Sequence, residues 1–124
     1  MNQPGDKTRY SDAELDEFRV LIEGKKAKAE QQLQYYLTQL TDMAENADAK
    51  IKGLDDGITT MENETTSTMA VRQRKLIQHL ENALIRIQNK AYGVCRETGK
   101  LISKERLRAV PHATLSIQAK QKRK

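Results

Sequence analysis

The chain has 124 residues, 37% of them hydrophobic and 31% charged, with no Trp and only 4% aromatic residues. That balance argues against a single large aromatic core and suits helices that bury a thin apolar seam. The net charge is +5, and the one cysteine, Cys95, excludes an internal disulfide framework.

No apolar run approaches the ~20 residues that span a bilayer, and residues 1–10 lack the apolar h-region of a signal peptide. These residues read as a disordered leader, and the chain as a cytoplasmic protein without a membrane partner. Ser11-Asp12-Ala13-Glu14 then forms a capping box, in which the Ser11 hydroxyl and the Glu14 carboxylate each accept an N–H at the start of a helix. From Leu15 the apolar positions run through Phe18, Ile22, Ala29, Leu33, Tyr36, Leu40, Met43, Ala47 and Ile51, mostly in steps of three or four. The spacing predicts one long helix of about 35–40 residues, or about 50–60 Å. Gly24 weakens it without ending it.

The stripe stops at Lys52-Gly53-Leu54-Asp55-Asp56-Gly57, where two glycines flank an Asp pair and a tight turn is expected. Residues 58–68 are Thr-rich, and frayed helix or loose turn is expected there. A second stripe runs from Met69 through Leu76, Ile77, Leu80, Leu84, Ile87 and Ala91. Two such stripes joined by a short turn bury each other as an antiparallel hairpin. The seam is expected to bring Leu33, Leu37 or Leu40 near Leu80, Leu84 or Ile87, only in the half of the hairpin away from the tip.

After Ala91 the pattern changes. Gly93 and Gly99 bracket a small turn or hairpin over residues 92–102, Pro111 breaks the stretch after Arg106, and a last short helix is expected over about Ala113–Lys120. Charge is segregated along the chain. Residues 41–66 carry seven acids against two lysines, a net of −5, whereas residues 99–124 carry eight bases against one acid, a net of +7. This favours a partner with two kinds of surface over plain nucleic-acid binding.

Catalytic chemistry finds little support, and the chain is not read as an enzyme. His79 and His112 lack spaced Ser, Cys or carboxylate partners and read as ordinary histidines. Cys95 reads as a small structural cysteine. Asp55 and Asp56 make an incomplete site for Mg²⁺, but as the only Asp–Asp pair, at the turn, they are the candidate functional tip.

The stretch from Tyr92 to Lys120 resembles the C-terminal zinc-finger region of the DksA/TraR family. Tyr92, Gly93, Cys95, Gly99, Ile102, Arg106, Leu107, Ala109, Pro111 and Ala113 fall in the family's register, and residues 72–93 resemble its second coiled-coil helix. The resemblance implies a mostly all-α fold. A long antiparallel coiled-coil hairpin over residues 11–91, with its tip near 53–57, would be followed by a small zinc-finger-like knuckle over 92–120, a short terminal helix and a basic tail at 121–124.

It also implies a monomeric bacterial transcription regulator that binds RNA polymerase directly, without sequence-specific DNA binding. The coiled coil would enter the polymerase secondary channel. Asp55, Asp56 and Gly57 would stand near the active centre, and Arg72 and Arg106 would hold the polymerase. The family's ppGpp-binding positions correspond here to His79, Val110 and Lys120. Only Lys120 keeps a permanent charge, a remnant that counts against a ppGpp response. Of the family's four zinc-ligand positions, Cys95 is kept, whereas Thr98, Ser116 and Ala119 replace cysteines. No zinc is therefore expected, and Val94, Leu101, Ile102, Leu107, Leu115 and Ile117 are expected to hold the knuckle by packing. The alternative is a coiled-coil adaptor or nucleic-acid-associated structural protein that binds through its QAKQKRK tail and has lost the channel function.

Overall fold

The computed structural model describes residues 8–45 and 56–122. Four helices follow one another: α1 (Asp12–Glu45), α2 (Asp56–Gln88), α3 (Lys104–Ala109) and α4 (Ile117–Lys122). Among the described residues the extended backbone amounts to one isolated antiparallel bridge, Val94 with Leu101. The fold is mostly all-α: a helical hairpin followed by a small C-terminal knuckle.

The capping box forms as read. The Ser11 N–H donates to Glu14 Oε1 at 3.0 Å, and the Glu14 N–H donates to Ser11 Oγ at 3.2 Å. From there α1 continues unbroken for 34 residues, which at ~1.5 Å per residue is about 51 Å.

The second helix differs from expectation. Residues 58–68 are helical rather than frayed, because α2 already begins at Asp56. Thr66 and Ala70 are buried, at 8% and 4% exposure, and the Thr68 hydroxyl donates to the Glu64 carbonyl at 2.9 Å. Burial of one face outweighs the weak intrinsic preference of threonine for a helix. The threonine hydroxyl is satisfied within the helix itself.

The chain divides into two units, residues 26–78 and residues 1–25 with 79–124. Each contains one stretch of α1 and one of α2, late with early in the first and early with late in the second, so the two helices run antiparallel. Among the described residues of the unit 26–78 the buried positions are the small side chains Ala29, Thr66 and Ala70. Leu33, Tyr36, Leu37, Leu40, Leu76 and Ile77 are half-buried there. Leu33, Leu37 and Leu40 fall in this unit, whereas Leu80, Leu84 and Ile87 fall in the other. Leu80 shares its unit with Leu15, Phe18 and Ile22.

The other unit holds the main core. Leu15, Ile22, Leu80, Tyr92, Cys95, Ile102 and Leu107 are almost completely buried. Tyr10, Phe18 and Tyr92 form a small aromatic cluster, with ring centroids 5.8 Å apart for Tyr10–Phe18 and 5.3 Å for Phe18–Tyr92. Tyr10 thus belongs to the core and not to a leader; residues 1–7 lie outside the described residues. Ion pairs hold the start of α1 to the knuckle, Lys90 to Asp12 at 2.8 Å and Lys104 to Glu14 at 2.6 Å.

Two further expectations are corrected. The last helix starts at Ile117 and not at Ala113, because Ser116 caps it: its hydroxyl accepts from the Ala119 N–H at 3.2 Å and its carbonyl from Lys120 at 3.0 Å. Ile117 itself is 49% exposed, and it is Ala119 on the same helix that is buried.

Candidate functional site: the C-terminal knuckle and its groove

The knuckle is built by backbone geometry that two glycines permit. At the end of α2, Lys90 takes φ 63°, and the N–H groups of Ala91 and Tyr92 both donate to the Arg86 carbonyl, at 2.9 and 3.2 Å. The Arg86 guanidinium then donates to the carbonyls of Ala91 and Val94, each at 3.0 Å, so a cation closes the helix C-terminus. Gly93 follows with φ 78° and Gly99 with φ 72°, both in the left-handed region. Between them the Cys95 N–H donates to the Lys100 carbonyl and the Gly99 N–H to the Cys95 carbonyl, both at 2.8 Å. The Ile102 N–H returns to the Gly93 carbonyl at 2.7 Å. A Cβ at Gly93 would lie 2.6 Å from the Tyr10 ring, so this glycine serves close approach as well as its dihedral angle.

Cys95, Thr98, Ser116 and Ala119 occupy the positions at which the resemblance implies zinc ligands. The Ser116 N–H donates to Cys95 Sγ at 3.3 Å, the Thr98 hydroxyl accepts from the Lys100 N–H at 3.2 Å, and the Ser116 hydroxyl is occupied by its cap on α4. Ala119 offers no ligand atom. One thiol, two engaged hydroxyls and a methyl do not fit a tetrahedral zinc site. Among the described residues no group of three or more His, Cys, Asp or Glu side chains is placed to hold a metal. Burial raises the pKa of the Cys95 thiol. Hydrogen bonds from the Thr98 hydroxyl and from the N–H groups of Ser116, Thr98 and Glu97 more than offset this and bring it down to about 6. Hydrogen bonding thus occupies the sulfur that a metal would otherwise hold.

Beside the knuckle runs a groove of about 310 Å³, whose walls include His79 and Arg86 from α2, Arg106 from α3, His112 from the turn, and Lys120 from α4. His79 and His112, far apart in the chain and unlinked by any motif, stack there with ring centroids 5.1 Å apart and planes 10° from parallel. His112 Nδ1 and Arg86 Nε are buried without a hydrogen-bond partner among the described residues. Burial, and then the neighbouring His79, hold the His112 imidazole below its usual pKa of 6.5. Tyr92 steadies the turn from below, its hydroxyl donating to the Pro111 carbonyl at 2.8 Å.

The other candidate residues are dispersed. Asp55 lies outside the described residues, and Asp56 and Gly57 stand in the first turn of α2. Arg72 is exposed on α2, with its guanidinium 4.0 Å from Met69 Sδ. Arg106 is half-buried, and its Nε donates to the Leu115 carbonyl at 2.9 Å, so it ties α3 to the segment before α4. Val110 and Lys120 line the groove with His79. Sequence reasoning missed Tyr10 and Arg86. Tyr10 directly precedes the capping Ser11, the position at which an apolar residue staples a helix start. Arg86 is a cation in the last turn of its helix, where it suits the exposed carbonyls.

A helical hairpin joined to a small knuckle, closed by hydrogen bonds around a single cysteine, defines the class. Residues 90–124 match the family described as the prokaryotic dksA/traR C4-type zinc finger. The RNA polymerase-binding transcription factor DksA of Caulobacter vibrioides is 47% identical over 51 residues, covering 41% of this chain and 36% of that protein. General stress protein 16O of Bacillus subtilis is 35% identical over 65 residues, covering 52% of this chain and 40% of that protein. The matched stretches thus span well under half the length of these curated relatives. A structure of transcription factor DksA2 from Pseudomonas aeruginosa aligns with a TM-score of 0.77 and 26% identity, over 90% of this chain and 83% of that one. Residues 90–124 thus carry the dksA/traR-type finger region, and the chain shares its fold with DksA2 over 90% of its length.

Proposed function

We propose that this protein is a transcription regulator that binds RNA polymerase directly and is not an enzyme. The observation that carries this reading is the fold shared with the transcription factor DksA2 over 90% of the chain. The Caulobacter relative, whose name describes an RNA polymerase-binding transcription factor, adds support over the C-terminal part. In this reading the protein acts as a cytoplasmic monomer without sequence-specific DNA binding. The coiled coil enters the secondary channel, Asp55, Asp56 and Gly57 act near the active centre, and Arg72 and Arg106 contribute to polymerase binding. The knuckle works without zinc, since its donor set does not fit the metal, and Lys120 is a remnant of the family's ppGpp site.

A binding titration against core RNA polymerase, paired with a single-round transcription assay, tests the proposal. Asp55→Asn with Asp56→Asn should leave folding and binding nearly intact and abolish the effect on a responsive promoter, because charge near a metal-dependent centre acts electrostatically. Arg72→Ala should weaken binding without unfolding the exposed helix surface it occupies. Arg106→Ala also removes the hydrogen bond to Leu115, so its binding loss must be read against its melting temperature. Full transcriptional activity in the double Asn variant would make the tip an ordinary solvated turn. Failure to bind polymerase, together with naked-DNA binding that falls steeply with salt, would favour the adaptor reading.

A further inference from the structure

The groove beside the knuckle contains a titratable contact that belongs to the fold itself and does not depend on the partner proposed above. We propose that the stacked pair His79–His112 is an acid-sensitive latch that holds the segment between α3 and α4 against α2, and that acidification releases this segment. The two rings come from different elements, one from the helix and one from the turn after Pro111, and they stack nearly parallel at 5.1 Å. Neutral imidazoles tolerate that contact; two imidazolium rings at the same separation repel each other.

The surroundings of the pair sharpen the effect. Among the described residues every charged group lining the groove is basic, Arg86 on α2, Arg106 on α3 and Lys120 on α4, with no carboxylate among them. A proton added to His112 therefore meets three permanent cations and His79, with no anion among the described lining residues to receive it. His112 Nδ1 is buried and unpartnered among the described residues, so a proton there becomes a buried donor without an acceptor. Outside the segment's own backbone turns, its ties include the hydrogen bonds of Pro111 to Tyr92 and of Leu115 to Arg106, at 2.8 and 2.9 Å. The Ser116 N–H to Cys95 Sγ and the Arg96 N–H to the Thr114 carbonyl also tie it, at 3.3 and 2.9 Å. Because the Cys95 thiol titrates in the same range, the two histidine variants are what assign the response to the stacked pair.

The sign follows from linkage. The held form keeps His112 below its usual 6.5, so the released form binds the proton more readily. The latch is intact above that ordinary value and weakens as pH falls from there toward the lower value of the held form. Across that interval the balance between held and released forms shifts by up to about tenfold per pH unit.

The test is an NMR titration of the full chain from pH 7.5 to 5, following both histidine rings and the amide exchange of Ala113, Ala119 and Lys120. Corrected for the intrinsic pH dependence of exchange, protection at these amides should fall severalfold on the acid side, while Leu80 in the core keeps its protection. His112 should titrate below 6.5. His112→Asn should flatten the response, and His79→Asn, an exposed substitution, should reduce it. A His112 midpoint at or above 6.5, or an undiminished fall in protection in His79→Asn, would overturn the latch. If His112→Asn fails to fold, the wild-type ring titration and His79→Asn decide the matter.

Discussion

The hydroxyl of Tyr10 donates to the backbone carbonyl of Ile102, joining a residue just before the first helix to the knuckle, 92 positions away. The same ring lies against Gly93 and Phe18. This long-range contact ties the segment before α1 to the knuckle. Tyr10→Phe should cost about 1–2 kcal/mol, the price of leaving a buried carbonyl unpaired. Tyr10→Ala should cost about 3–5 kcal/mol, since it also empties an aromatic site. Urea titrations of the three proteins measure both steps.

Gly93→Ala should destabilise the knuckle twice over, through its positive φ and through a Cβ placed 2.6 Å from the Tyr10 ring. Gly99→Ala has the positive φ alone, with nothing near its added Cβ, and should cost less. In a double-mutant cycle, Tyr10→Ala should recover part of the Gly93→Ala loss, because it removes the clash but not the dihedral strain. Additive losses would show that the ring moves aside freely.

Leu80 is 0% exposed, whereas Ile85, on the same helix, is 53% exposed. Leu80→Asp should unfold the domain at ordinary temperature, with a loss above about 3 kcal/mol, by burying an unpaired carboxylate. Ile85→Asp should remain within about 0.5 kcal/mol of wild type. Circular-dichroism melts compare the two directly, and an unchanged Leu80→Asp melt would remove Leu80 from the core seam.

Metal analysis of the purified protein should find no stoichiometric zinc, and chelator should leave its melting temperature unchanged. Cys95→Ala should then act as a small cavity and lose the hydrogen bonds that the sulfur accepts, without the collapse that follows loss of a structural metal. About one zinc per chain, with melting on chelation, would contradict this.

Asp12 donates no proton to its partner at neutral pH: the hydrogen bond and charge of Lys90 hold its carboxyl below the usual 3.8. A group lowered on folding stabilises above its unfolded value and loses that contribution as pH falls through its folded value. Lys90→Met should therefore reduce the acid sensitivity of stability below about pH 4, with little change above pH 6 beyond the loss of an exposed ion pair. Stability measured against pH for both proteins checks this.

The antiparallel hairpin was legible because apolar residues recurred at helical spacing, and a stripe of that kind has to be buried somewhere. The start of α1 was legible residue by residue, since Ser11 and Glu14 satisfy each other's neighbours within one turn. The knuckle's register was legible through Gly93, Cys95, Gly99 and Pro111, whose backbone demands are local. What local chemistry could not supply was the partner of each face. Residues 58–68 read as poor helix, yet α2 runs through them and buries Thr66 and, just beyond, Ala70. Tyr10 read as leader until its ring and hydroxyl met Phe18 and Ile102. His79 and His112 each read as ordinary, and neither neighbouring sequence carries any sign of the other; folding α3 and its following turn back onto α2 stacked them. Periodicity and capping act over a few residues and are written in the chain, whereas burial and ring contacts depend on which distant surfaces the tertiary fold brings together.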